Sequence, residues 1–415
     1  RQEDEDVFNA THSCLRELVG EGLIDGVRVD HPDGLTDPFG YLTRLRELIG
    51  PDTWLIVEKI LAADEPLDPP LDIHGTTGYD ALREFDGVFV NANAAGALGE
   101  LAREYSGSTW DADAVAAAEW ELKARIANEE LAPEVRRLAR SVRRDNQATS
   151  PATSDVTDAE LTEVLVALVA RMPVYRADYR CLSRVTPTLI AQLAELGHNP
   201  AALDLTAAAL ATSGEAAHRF AQVCGAVMAK GVEDTLFYRA CRLVALQEVG
   251  GAPGRTGVSQ AEFHLLQAER TALWPRTMTA LTTHDTKRSE DTRARMLEIA
   301  ELPDEFARLV RDVFALTPPP DRAAGYFLIQ NILGAWPHEG HSTEEFSRRL
   351  QDYAVKAARE ADQLTSWHDN EHEFETQLTE WIAHLTDGPA TQLLAAFTRY
   401  LDRGGVAVSL GRKLL

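Results

Sequence analysis

Apolar residues recur in two rhythms along this chain, and the change of rhythm divides it. Near the start, Val7, Leu15, Leu18 and Val19 fall broadly at helical spacing and predict a helix over residues 7–19. Residues 23–29 read as a strand and 40–49 as a helix with Tyr41, Leu42, Leu45 and Leu48 on one side. Residues 54–57 read as another strand. Strand, helix and strand at this spacing predict a parallel βαβ unit. From about residue 111 to 248 the rhythm is helical, rich in Ala, Leu, Glu and Arg, with hardly a strand signal. There Thr157-Asp-Ala-Glu160 is a helix-opening capping box, followed by an apolar stripe of Leu161, Val164, Leu165 and Leu168. The glycine-rich stretch 250–257 is a flexible break, residues 278–283 read as a strand again, and helical sequence follows from about Ser289. The simplest architecture is an α/β parallel barrel interrupted by a large all-helical insertion. Barrel parts are expected at 1–90 and 273–415, with a mostly helical subdomain at 91–272.

Composition narrows the class. At 415 residues the chain can bury a sizeable core, and 45% hydrophobic with 26% charged residues is the make-up of a soluble globular protein. No run approaches the roughly 18 consecutive apolar residues that a membrane helix needs, and the polar start Arg1-Gln-Glu-Asp-Glu-Asp6 does not read as a signal peptide. The cysteines Cys14, Cys181, Cys224 and Cys241 lack metal-ligand or redox spacing, so a reduced, cytoplasmic protein is expected. The net charge of −24 argues against nucleic-acid binding, which needs a positive surface. It suits a neutral substrate such as a glucan, and equally a surface kept acidic for solubility.

Three apolar runs each end on an acid: Gly26-Val-Arg-Val-Asp30-His31, Leu55-Ile-Val-Glu58-Lys59 and Leu281-Thr-Thr-His284-Asp285. Side chains alternate across a strand, so Gly26, Arg28 and Asp30 share a face, as do Trp54, Ile56 and Glu58, and Leu281, Thr283 and Asp285. Each acid is expected at the C-terminal end of its strand, where barrel enzymes place their chemistry. Singly these motifs are ordinary, since an acid after a strand is more often a helix cap or a loop residue. Their combination, with Arg28 two positions before Asp30 and His284 directly before Asp285, is what distinguishes the chain.

That combination resembles the carboxylate set of the α-amylase superfamily, glycoside hydrolase family 13. Longer strings are similar to those of the maltooligosyltrehalose synthase family within it: Asp30-His-Pro-Asp-Gly-Leu35, Gly75-Thr-Thr-Gly-Tyr-Asp80, 228–238, Lys287-Arg-Ser-Glu-Asp-Thr-Arg293, Trp274-Pro275 and Leu333-Gly-Ala-Trp-Pro337. The resemblance implies a (β/α)8 (TIM) barrel and an isomerase that turns the reducing-end α-1,4 linkage of a maltooligosaccharide into the α,α-1,1 linkage of trehalose. It implies no cofactor and no metal, and a maltooligosaccharide as the binding partner, with neither nucleic acid nor membrane involved. By the same resemblance the family's first barrel strands precede Arg1 and its last strand follows Leu415. The barrel is therefore expected to be incomplete here and to be finished by those N- and C-terminal segments.

For single residues the resemblance implies Asp30 as nucleophile, Glu58 as general acid/base and Asp285 as the group that stabilises the transition state. Arg28 would hold Asp30 ionised and His284 would bond a hydroxyl of the same sugar ring. Lys230, Glu233, Asp234 and Lys287 are candidates for gripping the released glucose, with salt bridges within the protein as the plainer reading. Tyr79 is a candidate for stacking on a sugar, though an aromatic in a turn more often packs locally. His31, with Asp33, is read chiefly as shaping the loop after the nucleophile, with sugar contact second. Trp367-His-Asp-Asn-Glu-His372 lacks paired ligands at metal-binding spacing and reads as a polar loop. Two other readings stay open: another retaining α-glucan hydrolase or transferase of the α-amylase type, and a non-catalytic glucan-binding module.

Overall fold

A computed structural model of the chain describes residues 2–146 and 156–415. It divides into two compact units that interleave along the sequence. The first comprises Arg1–Tyr79, Glu119–Val232 and Leu266–Thr279, and the second Asp80–Ala118, Glu233–Leu265 and Ala280–Leu415. These boundaries cut across the three consecutive segments expected from the sequence.

The first unit is built on a three-stranded parallel sheet in the order β1 (Gly26–Val29), β2 (Trp54–Val57) and β3 (Gly75–Thr76). Gly26 lies opposite Trp54 and Val29 opposite Val57, so β1 and β2 end level with one another. The helix between them, Pro38–Ile49, starts where the sequence dictates a stop to the preceding loop. Asp37 accepts the Gly40 N–H at 2.9 Å, and Pro38 takes the first-turn position whose amide needs no partner. Its Tyr41, Leu42, Leu45 and Ile49 pack with Val29, Leu55 and Val57 of the sheet in one buried cluster. The helix Asp158–Arg171 adds Leu161, Val164, Leu165 and Leu168 to that cluster, and its capping box is present as expected.

Three departures from the sequence reading have local causes. The helix expected over 7–19 is two helices, Glu5–Thr11 and Ser13–Gly20, separated at His12. His12 stacks on Phe8, with ring centroids 4.1 Å apart, and its Nε2 lies 3.0 Å from the Tyr41 hydroxyl. The first strand begins at Gly26 rather than at residue 23, and Leu23 is left exposed. No strand forms over 278–283. The Thr277 hydroxyl, instead of a backbone carbonyl, takes the Thr76 N–H at 3.0 Å, and the Thr76 carbonyl accepts the Met278 N–H at 3.3 Å and the Thr277 hydroxyl at 3.5 Å. This close approach requires Gly75, whose φ is +145° and whose absent Cβ would meet the Thr277 side chain. Further on, Thr282 Oγ1 accepts the Glu290 amide at 3.0 Å, and Thr283 Oγ1 closes a local turn by accepting the amides of Asp285 and Thr286 at 3.2 Å each.

The second unit is helical among its described residues. At its centre Arg322–Ala335 is buried from Gly325 to Gly334 on all sides, with the polar Gln330 and Asn331 of that stretch both hydrogen-bonded. Leu297, Phe306, Val310, Ile382, Leu394 and Leu401 surround it in one core. Buried charge is matched there: Arg293 Nε donates to Asp86 at 2.7 Å, and Arg412 bonds the same carboxylate.

Candidate active site

Asp30 and Glu58 follow directly on the C-terminal ends of β1 and β2. The Glu58 amide donates to the Val29 carbonyl at 2.8 Å and continues the ladder by one step, which sets the two acids side by side. A carboxylate oxygen of Asp30 and one of Glu58 lie within 4.8 Å of each other. Arg28, on the same face of β1, forms an ion pair with Asp30, whose side chain is 62% exposed, while Glu58 is half-buried.

Beyond Asp30 the chain turns sharply. His31 has φ +45°, a left-handed conformation that costs a non-glycine residue about 1–3 kcal/mol. The turn directs the His31 amide at Glu58, to which it donates at 3.1 Å. A single 3-10 turn, Pro32–Gly34, then buries Asp33. Its carboxylate accepts from the Tyr179 hydroxyl at 2.7 Å and contacts Lys59 Nζ at 2.9 Å.

Lys59 is 2% exposed and also meets Glu65 at 2.7 Å. Burial alone would lower its pKa, but the two carboxylates outweigh burial and hold it above the usual lysine value. Burial pushes Glu65 up in spite of Lys59. Tyr179 is driven well above the ordinary tyrosine range by burial and by Asp33. Arg176, 1% exposed, donates to the carbonyls of Asp33, Leu35 and Thr36 and forks onto Asp178 at 2.6 and 2.7 Å. Gln222 donates to the Gly34 carbonyl at 3.0 Å. Sequence reasoning missed Lys59, Glu65, Arg176, Tyr179 and Gln222. The one local signal was a lysine closing an apolar strand, where a solvated group was the ordinary expectation.

The second unit carries Glu233, Asp234, His284, Asp285 and Lys287, whereas Tyr79 and Lys230 belong to the first. Asp285 stands in a turn, not at a strand end as expected, with His284 Nε2 3.2 Å from its carboxylate; both side chains are about half exposed. Lys287 is half-buried, its Nζ 4.9 Å from the centre of the Tyr238 ring. Burial lowers its pKa, opposed by Asp234, Glu233 and Glu248. Glu233 accepts the Gly250 amide at 3.3 Å. Lys287 thus shares an acidic setting with Glu233 and Asp234, which accords with salt bridging as well as with sugar binding. The backbone on either side of Lys287 is fixed by buried polar groups. Its own amide donates to Glu248 at 2.6 Å, and the Arg288 guanidinium reaches Asn331 at 2.6 Å and the Tyr353 hydroxyl at 3.1 Å.

Lys230, Glu233 and Asp234 all fall in a π-helical stretch, Ala229–Leu236, a form common at functional sites. Lys230 is exposed. Tyr79 is 0% exposed, so its ring has no free face for a sugar, and the local-packing alternative holds. Residues 365–371 form a polar loop closed by Ser366 and Thr365, whose hydroxyls accept the amides of His368, Asp369 and Glu371.

An arginine-paired carboxylate and a second carboxylate at the ends of neighbouring parallel strands, this close together, form the arrangement that retaining glycosyl transfer uses, for which about 5–5.5 Å is typical. Along its whole length the chain is similar to maltooligosyltrehalose synthases, and it spans about half the length of the relatives it matches. A curated protein of Mycobacterium tuberculosis for which the name proposes maltooligosyl trehalose synthase is 44% identical over 416 residues, covering 100% of this chain and 53% of that protein. The solved maltooligosyltrehalose synthase of Arthrobacter ramosus superimposes with a TM-score of 0.90 at 39% identity, over 100% of this chain and 52% of that one. The solved hypothetical maltooligosyl trehalose synthase of Sulfolobus tokodaii gives 0.81 at 28% identity, over 98% and 52%. No family model matches the chain.

Proposed function

We propose that this chain carries the catalytic acids of an intramolecular transglycosylase, which moves the reducing-end glucose of a maltooligosaccharide from an α-1,4 to an α,α-1,1 linkage. The observation that carries the reading is the Asp30–Glu58 pair, two strand-end carboxylates within 4.8 Å. The similarity to proteins named for this activity selects the reaction. In the same reading the three parallel strands are part of a (β/α)8 barrel.

In the first step Asp30 attacks the anomeric carbon of the penultimate glucose unit while Glu58 protonates the departing oxygen. The products are a glycosyl ester on Asp30 and a glucose retained in place. Arg28, ion-paired with Asp30, keeps that carboxylate aimed. In the second step Glu58, now a carboxylate, takes the proton of that glucose's anomeric hydroxyl, whose oxygen attacks the ester carbon and frees Asp30. Two inversions leave the glycosyl configuration retained, and no atom is gained or lost. Water must be kept out, because its attack on the ester would yield glucose and a shortened chain. For Asp285 as stabiliser of the transition state and His284 as hydroxyl donor, the support is the resemblance of Thr283-His-Asp285 itself. For Lys287, Glu233 and Asp234 as the grip on glucose it is their shared half-buried setting.

Incubation with maltopentaose, following reducing ends and product mass together, tests the reading. Reducing ends are expected to disappear at constant mass, and Asp30→Asn to abolish the conversion. New reducing ends would instead indicate an α-amylase-type hydrolase. Glucan binding without turnover, indifferent to Asp30→Asn, would indicate a binding module.

A further inference from the structure

A left-handed residue other than glycine persists only where its surroundings over-determine it. His31 is such a residue, and it stands between the two acids: its neighbour is Asp30 and its amide bonds Glu58. The residues that fix it come from far along the chain. Arg176 and Tyr179 lie on the connection between the helices Asp158–Arg171 and Val185–Glu195, and Gln222 lies on the helix Glu215–Met228. Arg176 ties down three successive segments of the loop through the carbonyls of residues 33, 35 and 36, and Gln222 takes the carbonyl of residue 34. Tyr179 holds the Asp33 side chain, and through Asp33 the buried Lys59 that directly follows Glu58. Both sides of the carboxylate pair are thus anchored to one connection.

We propose that Arg176 and Tyr179 are positioning residues for the Asp30–Glu58 pair: they hold the His31 turn so that its amide stays on the Glu58 carboxylate and the two acids keep their separation. The claim rests on the reading of that pair as the working acids. Neither residue touches the sugar. Their effect runs through the turn, so it is felt in the reaction rather than in substrate binding. It is also felt in proton affinity, because an amide donated to a carboxylate favours the ionised form.

The experiment is a pH profile of kcat and of KM on maltopentaose for the intact protein, Arg176→Lys and Tyr179→Phe. Arg176→Lys keeps the charge but cannot fork to Asp178 and span three carbonyls at once. It is expected to lower kcat by about tenfold or more, since small misplacements of reacting groups are costly, with KM little changed and the alkaline limb moved to higher pH. Tyr179→Phe, which removes one hydroxyl, is expected to move both in the same direction by less. A kcat unchanged in both variants overturns the proposal, as does a fall in melting temperature with the pH profile unmoved, which marks a structural role alone. If the unsubstituted protein, supplied with the N- and C-terminal segments expected to finish its barrel, converts no maltopentaose, the reading of the acid pair fails instead, and the inference with it.

Discussion

Glu375 accepts both arms of the Arg359 guanidinium at 2.7 Å each and the Thr365 hydroxyl at 2.7 Å. These bonds, the arginine's first, hold its pKa down to about 2. A carboxyl depressed in the folded state stabilises the fold above its ordinary pKa of about 4.3, and that stability drains away as pH falls towards the folded value. Thermal melts of the native protein and Glu375→Gln should therefore differ most near neutrality and converge as pH falls from about 4.5 to about 2; parallel curves would sink this account. The same local logic explains what the sequence showed of the site. Arg28, Asp30 and Glu58 were legible because strand periodicity fixes which neighbours share a face. Arg176, Tyr179 and Gln222 were not, because their partners in the loop lie 140 to 188 residues away. Burial of a charge is decided by such distant partners and leaves no rhythm in the sequence.

Among elements, the capped helices were the most readable. Thr157 and Glu160 exchange both capping bonds, and Glu160 also accepts from Asn199 at 2.8 Å, the residue that caps the next-but-one helix, Pro200–Leu210. Thr157→Ala should cost about 1 kcal/mol, read as a lower urea midpoint at unchanged slope; no change would mean that Glu160 and Asn199 hold the helix start without it. β2 was placed to the residue, and β1 was shortened at its start. The failure at 278–283 is instructive, since apolar and threonine-rich runs favour strands. There the Thr277 hydroxyl took the Thr76 amide that a ladder would have used, and the Thr283 hydroxyl closed a turn with the amides of Asp285 and Thr286. Propensity registers the methyl of threonine and is blind to what its hydroxyl will find.

At the scale of the whole molecule, the net charge of −24 makes self-repulsion a standing term against compactness. Raising sodium chloride from about 10 to about 150 mM shortens the screening length from roughly 30 to 8 Å, so the melting temperature should rise. A fall would show that exposed ion pairs contribute more than the net repulsion takes away. The parallel βαβ unit and the helical middle of the chain were legible from the rhythm of apolar positions. The division into two interleaved units was not, since periodicity tells what an element is and not which core it joins.

That interleaving governs how the chain can be made. The backbone passes between the units after residues 79, 118, 232, 265 and 279. A ribosome delivers the sequence in order, and a nascent chain folds what it has as it emerges. Thr277, which lies against β3, is delivered some two hundred residues after that strand, so β3 must wait for its neighbour while those residues are translated. The early sheet is thus an unfinished surface for that stretch of synthesis, and no single contiguous stretch of gene encodes either unit by itself.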